Sequence, residues 1–292
     1  MRWSMRRNPT TGRKRHRSRA QRITPPGSLR WKSDIPGGRV PPVFLEVSMH
    51  NEVIHIGDIP VKVYTDGGFS RTVLAVHGFG GSKDSLAIEG LAERLCPVGF
   101  RVAAPDLPCH GERTEPESRL SPENCISEIM TVEKELSAEY AFGTSFGGAL
   151  LLRRIELYGD PFRRIVLRVP AVNMADSLLR CMQLFQPGFT LEQAESSGFH
   201  VKMSRELNIP YSFYGKLLEL NEVRHCAAWN TPDILAVYAG SDELVARKDT
   251  EEFLRLNPEM QRLCIEGSGH RMNQKPEYLS AALDRAAEHF TE

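Results

Sequence analysis

The stretch "AFGTSFGGAL", residues 141–150, decides the fold of this chain because it places one serine, Ser145, between two glycines at a fixed spacing. An apolar run precedes it and a helix-like run, "FGGALLLRRIELYG", follows it, which makes a flexible linker a poor explanation. G-x-S-x-G between a buried strand and a helix is typical of a nucleophile elbow, a sharp turn that lifts a serine hydroxyl above a sheet edge. Gly143 and Gly147 fit such a turn because larger side chains at these positions would collide.

The runs on either side of this turn alternate between strand and helix character. Strands are expected at 44–56, 60–66, 72–79, 101–106, 164–172, 233–240 and 262–267, the first two as an antiparallel pair. Helices are expected to begin at Ser82 and at Ser121, where Pro122 suits the first turn, and a closing helix is expected at 276–290. This alternation predicts an α/β fold, a mostly parallel sheet with helices on both faces.

Charge is distributed unevenly along the 292 residues, although the formal net charge is zero. Residues 1–40 carry 12 Lys/Arg and one acid, Asp34, which leaves 25 basic and 36 acidic residues for the remainder. Residues 1–48 have too few apolar side chains to offset chain entropy, so we expect a disordered basic extension there and a folded domain at 49–292. Because that domain is acidic, nucleic acid is not an expected partner.

Membrane and metal sites are not expected from the composition. No run approaches the ~18 apolar residues of a membrane span, and no apolar segment of a secretory signal follows the basic start. The six cysteines are scattered and contain no C-x-x-C pair. This pattern predicts reduced thiols in a cytoplasmic protein, with no disulfide framework and with no metal or other cofactor.

About 60 residues, 173–232, interrupt the alternation of strands and helices. Apolar runs such as "LLRCMQLF" and "IPYSFYGKLLEL" exclude a solvated loop and predict a small, mostly helical cap over the strand ends. Tyr211, Phe213 and Tyr214 are the cap residues expected to line a substrate pocket, where a tyrosine hydroxyl would provide a polar anchor.

A serine becomes a good nucleophile when an acid orients a nearby base, and after a nucleophile elbow these partners follow in the order acid, then histidine. Asp242 follows the strand at 233–240, and His270 follows the next short strand. Of the nine histidines in the chain, His270 alone has this position. The sequence therefore predicts a catalytic triad of Ser145, Asp242 and His270.

Two backbone N–H groups are candidates for stabilising an oxyanion. Phe146 follows the serine at the start of a helix, where the N–H groups are free and the helix dipole is positive. The loop "HGFGGSKDS", residues 77–85, follows the first buried strand, and its glycines permit close backbone approach. Phe79 is therefore the second expected donor, and His77 is expected to brace this loop.

Four blocks in order, "HGFGG", "DLPCHGE", "GTSFGG" and the pair "AGSDE" with "GSGH", resemble the α/β-hydrolase superfamily across roughly residues 50–290. The resemblance implies the α/β-hydrolase fold, with Ser145 as nucleophile, His270 as base and Asp242 as its orienting acid. The second block is similar to the D-x-P-G-H-G loop of the lipase, esterase and serine-aminopeptidase-like branch, with Cys109 in place of a glycine. The insertion resembles the small caps of cinnamoyl or feruloyl esterase-like and monoacylglycerol-lipase-like members.

These features predict a serine hydrolase that acts on a small-molecule substrate, cleaving a carboxylic ester of a small-to-medium apolar or aromatic acid through an acyl-enzyme. An acyl thioesterase, a serine aminopeptidase-like peptidase and a ligand-binding receptor of the same fold remain open. The peptidase would need an acidic cap residue to hold the substrate ammonium. The candidates for that residue are Glu192, Glu195, Glu206, Glu219 and Glu222.

Overall fold

The computed structural model describes residues 49–202, 206–221 and 233–292. The predicted extension at 1–48 lies outside the described residues, and so do 203–205 and 222–232 of the predicted cap.

One sheet of eight strands forms the centre of the described part of the chain. The described residues form ten strands, eight of which belong to this sheet. In chain order they are β1 His50–Ile56, β2 Ile59–Thr65, β3 Arg71–Val76, β4 Phe100–Pro105, β5 Tyr140–Thr144, β6 Arg164–Arg168, β7 Phe199–Lys202, β8 Glu206–Ile209, β9 Asp233–Ala239 and β10 Gln261–Ile265. The order in the sheet is β1-β2-β4-β3-β5-β6-β9-β10, and β7 pairs with β8 in a separate antiparallel hairpin. From β4 to β10 every neighbouring pair is parallel, which confirms the predicted sheet.

Helices lie on both faces of this sheet, as the sequence predicted. They are α1 Leu86–Leu95, α2 Pro122–Leu136, α3 Phe146–Tyr158, α4 Met174–Phe185, α5 Leu191–Ser197, α6 Tyr211–Glu219, α7 Arg247–Leu256 and α8 Pro276–Thr291. Helices α1 and α8 pack together and contribute to one hydrophobic cluster, whereas α2 and α3 pack together and contribute to another.

The sequence of β3 ends in a continuous apolar run because helices cover the strand on both faces of the sheet. Val73 and Ala75 belong to the cluster under α1 and α8, whereas Leu74 and Val76 belong to the cluster under α2 and α3. All four residues are fully buried. Successive residues of a strand point to opposite faces, so a strand covered on both sides must be apolar at every position.

Two helix starts test the capping predictions. Ser121 accepts a hydrogen bond from the N–H of Asn124 at 3.2 Å, as expected of the cap of α2. The prediction that α1 begins at Ser82 is wrong, because the helix begins at Leu86. Lys83 is turned inward instead, and its N–H and Nζ reach the carboxylate of Asp106 at 2.7 and 3.0 Å, which holds this segment out of the helix.

The described part of the predicted cap contains α4, α5 and α6, together with the β7–β8 hairpin. The hairpin was not predicted, but the three helices hold most of the described cap residues, so the described part of the cap is mostly helical, as predicted. It is inserted between β6 and β9, which are parallel neighbours in the sheet. The cap begins after β6, at the edge where the parallel strands end and close to the turn after β5, whereas β9 begins at the opposite edge, beside the start of β6.

Candidate active site

Ser145 lies at the turn between β5 and α3 in a conformation that L-residues rarely adopt, with φ 51° and ψ −115°. Such conformations cost about 1–3 kcal/mol and persist only where the surroundings enforce them. The N–H of Ser145 donates to the carbonyl of Arg168 at 2.9 Å, and its own carbonyl accepts from the N–H of Ala171 at 3.1 Å. The end of β6 therefore holds the strained serine on both sides.

The two glycines of the motif are required by close backbone approach. A Cβ added at Gly143 would lie 2.6 Å from the Cα of Gly148. A Cβ added at Gly147 would lie 2.4 Å from the carbonyl oxygen of Val76, on the neighbouring strand β3. Any side chain at either position would push α3 away from the sheet and move Ser145 with it.

A continuous chain of hydrogen bonds joins Ser145, His270 and Asp242. The Nε2 of His270 lies 2.9 Å from the Oγ of Ser145, and its Nδ1 lies 2.9 Å from the Oδ2 of Asp242. Asp242 is fixed in turn, because its Oδ1 accepts the N–H groups of Leu244 and Val245 at 2.9 and 2.8 Å. The imidazole is thus oriented to take a proton from the serine hydroxyl while the carboxylate faces the resulting charge.

Two further side chains position the loop that carries His270, and the sequence motifs identified neither of them for this role. The N–H of His270 donates to the Oε2 of Glu243 at 2.9 Å. The guanidinium of Arg168 donates to the carbonyl of Arg271 at 2.7 Å. Burial lowers the pKa of Arg168 to about 10, so this side chain remains a cation at neutral pH.

The two residues predicted to supply oxyanion donors lie on the same cavity wall as Ser145. Phe146 is the first residue of α3, so its N–H has no acceptor within the helix. Phe79 stands in a turn closed by the N–H of Gly81 and the carbonyl of Gly78 at 2.9 Å, with Gly80 at φ 75°. The rings of Phe79 and Phe146 meet edge to face at 5.7 Å, which links the two donor segments.

His77 connects the loop after β3 with the loop after β4. Its Nε2 accepts the N–H of Leu107 at 3.1 Å, and its Nδ1 donates to the carbonyl of Gly78 at 2.8 Å. Burial lowers the pKa of His77 to about 4, and the same cause lowers the pKa of the adjacent His110 to about 3. Both rings are therefore neutral at physiological pH and act as fixed braces, as expected for His77.

Cys109 occupies the glycine position of the loop after β4 and has the backbone that a glycine would prefer, with φ 63°. A left-handed conformation costs a non-glycine residue about 1–2 kcal/mol. The side chain is fully buried, and its Sγ lies 3.4 Å from the carbonyl oxygen of Pro116. The buried cysteine thus packs against the segment that contains Pro116.

A cavity of about 500 Å³ opens above Ser145 between the cap and the sheet edge. Its apolar walls come from Leu86 at the start of α1, Met174 and Leu178 of α4, and Phe213 and Leu217 of α6. Its polar lining includes Ser145, His270 and their neighbours, together with Ser85 before α1 and Ser177 of α4. A mostly apolar cavity with a few polar groups is the usual form of a small-molecule site.

Of the three residues predicted to line this pocket, only one does so. Phe213 lines the cavity and stacks on Phe79 at 6.2 Å. Tyr211 and Tyr214 are not among the lining residues; their rings stack on Phe199 within the cap, at 6.4 and 5.9 Å. These tyrosines hold α6 against the hairpin, so neither hydroxyl serves as the expected anchor.

A family model described as the alpha/beta hydrolase family matches residues 73–282. The chain belongs to the alpha/beta hydrolase family. Membership supports a hydrolase and agrees with the fold and with the position of Ser145 after β5. A comparison with curated proteins found no match.

Several solved structures share this alpha/beta hydrolase fold at low sequence identity. Est1E from Butyrivibrio proteoclasticus with ferulic acid bound is 17% identical, with a TM-score of 0.66, over 82% of this chain and 100% of that chain. A putative hydrolase from Agrobacterium vitis S4 is 13% identical, with a TM-score of 0.63, over 82% and 98%. The mouse alpha/beta hydrolase domain-containing protein 10 is 12% identical, with a TM-score of 0.62, over 82% and 98%.

The described residues contain neither a membrane-spanning helix nor a metal-binding cluster. No helix there is both long and apolar enough to cross a membrane. No group of three or more His, Cys, Asp or Glu side chains in residues 49–202, 206–221 and 233–292 is arranged to hold a metal ion.

Proposed function

We propose that this alpha/beta hydrolase is a serine esterase that cleaves a carboxylic ester of a small-to-medium apolar or aromatic acid through an acyl-enzyme. One observation carries the proposal. Ser145 and His270, the first two members of the hydrogen-bonded chain that continues to Asp242, line an apolar cavity of about 500 Å³. A nucleophile, a base and an orienting acid thus meet where a substrate of moderate size fits.

In the first half of the proposed reaction, the Oγ of Ser145 attacks the ester carbonyl while its proton passes to the Nε2 of His270. The carbonyl oxygen becomes an oxyanion, which the backbone N–H groups of Phe79 and Phe146 stabilise. The tetrahedral intermediate then breaks the bond to the alcohol oxygen, and His270 returns the proton to that leaving group. Asp242 holds the imidazole in the required tautomer and faces its positive charge throughout.

In the second half, a water molecule takes the place of the alcohol. His270 removes a proton from this water as its oxygen attacks the acyl carbonyl, and the same two N–H groups stabilise the second oxyanion. The intermediate releases the carboxylic acid, and the proton returns to the Oγ of Ser145. The sum is one ester and one water converted to one acid and one alcohol.

The size of the cavity sets the expected substrate. A volume of about 500 Å³ lies at the lower end of the range for drug-sized ligands and leaves little room for a long lipid chain. Apolar walls from α4 and α6 favour aliphatic or aromatic acyl groups. Est1E, whose solved structure contains ferulic acid, shares the fold and lends support to an aromatic acid as one option.

The peptidase alternative loses support from the charges around the cavity. No aspartate or glutamate side chain lines the described part of the cavity, so no carboxylate is available there to hold a substrate ammonium. Glu192, Glu195, Glu206 and Glu219 are exposed, and Glu222 lies outside the described residues. A thioester would fit the same geometry. The scattered cysteines, with no C-x-x-C pair, support the cytoplasm as the proposed location of this activity.

A fluorophosphonate probe followed by intact-mass analysis tests the proposed chemistry. We expect a single adduct on Ser145, lost in Ser145→Ala and formed much more slowly in His270→Ala. Equal labelling of the wild-type protein and Ser145→Ala would contradict the assignment.

Esters of p-nitrophenol with acyl chains of increasing length test the substrate class. Each methylene that enters the pocket contributes about 0.8 kcal/mol, so kcat/KM should rise roughly fourfold per carbon until the cavity is full. We expect a maximum at short or medium chains. A rate that keeps rising to palmitate would exclude this substrate class, although it would leave the serine chemistry intact.

A further inference from the structure

The charged side chains that line the cavity are all basic. Arg168 and Arg271 contribute to the wall, and no aspartate or glutamate of the described residues does so. This contrasts with the folded part of the sequence, where acidic residues outnumber basic ones. The cavity is thus lined by positively charged side chains, although acidic residues predominate in the folded part of the sequence.

Arg271 stands at the rim, directly after His270. Its side chain is exposed, and within the described residues no carboxylate lies within the 4.0 Å of an ion pair. Arg271 and Cys181 of α4 line the same cavity. Burial raises the pKa of the Cys181 thiol, and the positive charge of Arg271 opposes that shift. The cation therefore stands between the catalytic loop and the cap, at the edge of the apolar cavity.

Arg168 provides a second, fixed positive charge beneath this rim. Its side chain is buried, with 5% exposure, and its Nε has no hydrogen-bond partner among the described residues. The guanidinium donates at 2.7 Å to the carbonyl of Arg271, which fixes the backbone at the base of the exposed cation. Burial lowers the pKa of Arg168 only to about 10, so its charge persists at neutral pH.

We propose that the natural substrate carries a carboxylate in addition to its ester, and that Arg271 binds this carboxylate at the rim of the cavity. The inference rests on the proposed esterase function and narrows it to acidic esters, such as monoesters of dicarboxylic acids. A guanidinium matches a carboxylate with two parallel N–H donors, and no carboxylate of the described chain already occupies it. The apolar walls then hold the part of the substrate between the carboxylate and the scissile ester.

Matched pairs of substrates test this proposal. 4-Nitrophenyl hydrogen adipate has a carboxylate on the acyl side where 4-nitrophenyl methyl adipate has a neutral methyl ester. 4-Acetoxybenzoate and its methyl ester form the corresponding pair for the leaving group. We expect at least one acid to exceed its methyl ester in kcat/KM by about tenfold, the effect of one charge-assisted hydrogen-bonded pair. The preferred pair tells on which side of the ester the carboxylate lies.

Variants of Arg271 test whether this residue causes the preference for the acid over its methyl ester. In Arg271→Gln the ratio of acid to methyl ester is expected to fall about tenfold, and Arg271→Lys should recover part of it by keeping the charge. Arg163, which is exposed and precedes β6 at the opposite end of the sheet, supplies the control: Arg163→Gln removes the same charge and should leave the ratio unchanged. About 1 M salt should weaken the wild-type preference by screening.

Failure of this inference and failure of the esterase function give different results. Hydrolysis of the neutral esters with equal rates for both members of each pair would overturn the carboxylate proposal and leave the esterase intact. If no ester is turned over, calorimetry on the Ser145→Ala protein decides the carboxylate proposal separately. Monomethyl adipate should then bind about tenfold more tightly than dimethyl adipate, with the difference lost when Arg271→Gln is added; equal affinities would overturn it.

Discussion

Ser145 combines a strained backbone with neighbours that leave no room for relaxation. Its φ of 51° is enforced by hydrogen bonds to the end of β6, and Gly143 and Gly147 allow α3 to pass close to β3 and β5. The five residues of the motif carry the signature of the turn, which is why the turn could be predicted from the sequence. The contacts that enforce its geometry come from the end of β6 and from Val76 of β3, which lie far away along the chain.

Substitution of Gly147 tests this constraint. In Gly147→Ala the new Cβ would lie 2.4 Å from the carbonyl oxygen of Val76, so α3 and Ser145 must shift. We expect kcat/KM to fall about a hundredfold, since a misplacement of about 1 Å has that effect. Gly215 on α6 is the matched control, because a Cβ there meets nothing within 4 Å and alanine should stabilise the helix by up to about 1 kcal/mol. Equal activity in both variants would exclude the close approach.

Asp242 and Glu243 are adjacent acids with different contacts. The Asp242 carboxylate faces the imidazole of His270, whereas Glu243 accepts the backbone N–H of the same residue. Asp242→Asn should lower kcat about 10⁴-fold by favouring the wrong tautomer of His270. Glu243→Gln should have a much smaller effect, because its amide oxygen can still accept the N–H. Steady-state kinetics of the two variants on one ester decide between them, and the reverse order would show that the acid is misassigned.

Among the elements, the strands were easier to predict than the insertion. β3 is covered on both faces, so its apolar run is unbroken and visible in the sequence. β7 and β8 contain only four residues each, although "FHVK" and "ELNI" do alternate between inward and outward side chains. Four residues give a weak periodic signal, and the pairing of these strands depends on contacts across the cap.

The start of α1 shows a second limit of local prediction. Ser82 is a suitable cap by residue type, yet the chain turns so that Lys83 reaches Asp106 after β4. That ion pair joins residues 23 positions apart. A contact between distant segments therefore overrides the local preference, and only the folded arrangement reveals it.

The loops after β3 and β4 should make the stability of the fold sensitive to acid. Burial lowers the pKa of His77 to about 4 and the pKa of His110 to about 3, below the 6.5 of the unfolded chain. Between pH 6.5 and about 4 the unfolded chain gains protons that the folded protein excludes. The free energy of unfolding should therefore decrease as the pH falls through this window, by up to about 1.4 kcal/mol per pH unit for each histidine.

Urea unfolding at several pH values measures this effect. His77→Gln should reduce the slope of the free energy of unfolding against pH, whereas His200→Gln, at an exposed position on β7, should leave the slope unchanged. A wild-type free energy that does not change between pH 6.5 and 4 would contradict the buried, neutral state of these rings.

At the scale of the whole molecule, the cavity is the feature that the sequence predicts least. Its walls come from the starts of α1 and α3, from α4 and α6 of the cap, and from the loop after β10. Ser145, Asp242 and His270, the residues proposed as the triad, were identifiable because each follows a strand in the order expected from the sequence motif. Arg168 and Arg271 carry no such signal, and their shared place in the cavity follows only from the packing of separate segments.

The turnover number of Ser145→Ala, measured on the p-nitrophenyl ester that the wild-type protein hydrolyses fastest, tests the central claim most directly. Alanine keeps the size of the residue and removes only the hydroxyl that lies 2.9 Å from His270. With a far-UV circular dichroism spectrum and melting temperature like those of the wild type, the variant should lose activity by on the order of 10⁶ in kcat. A folded Ser145→Ala protein that hydrolyses the ester at a rate near that of the wild type would contradict the assignment of Ser145 as the nucleophile.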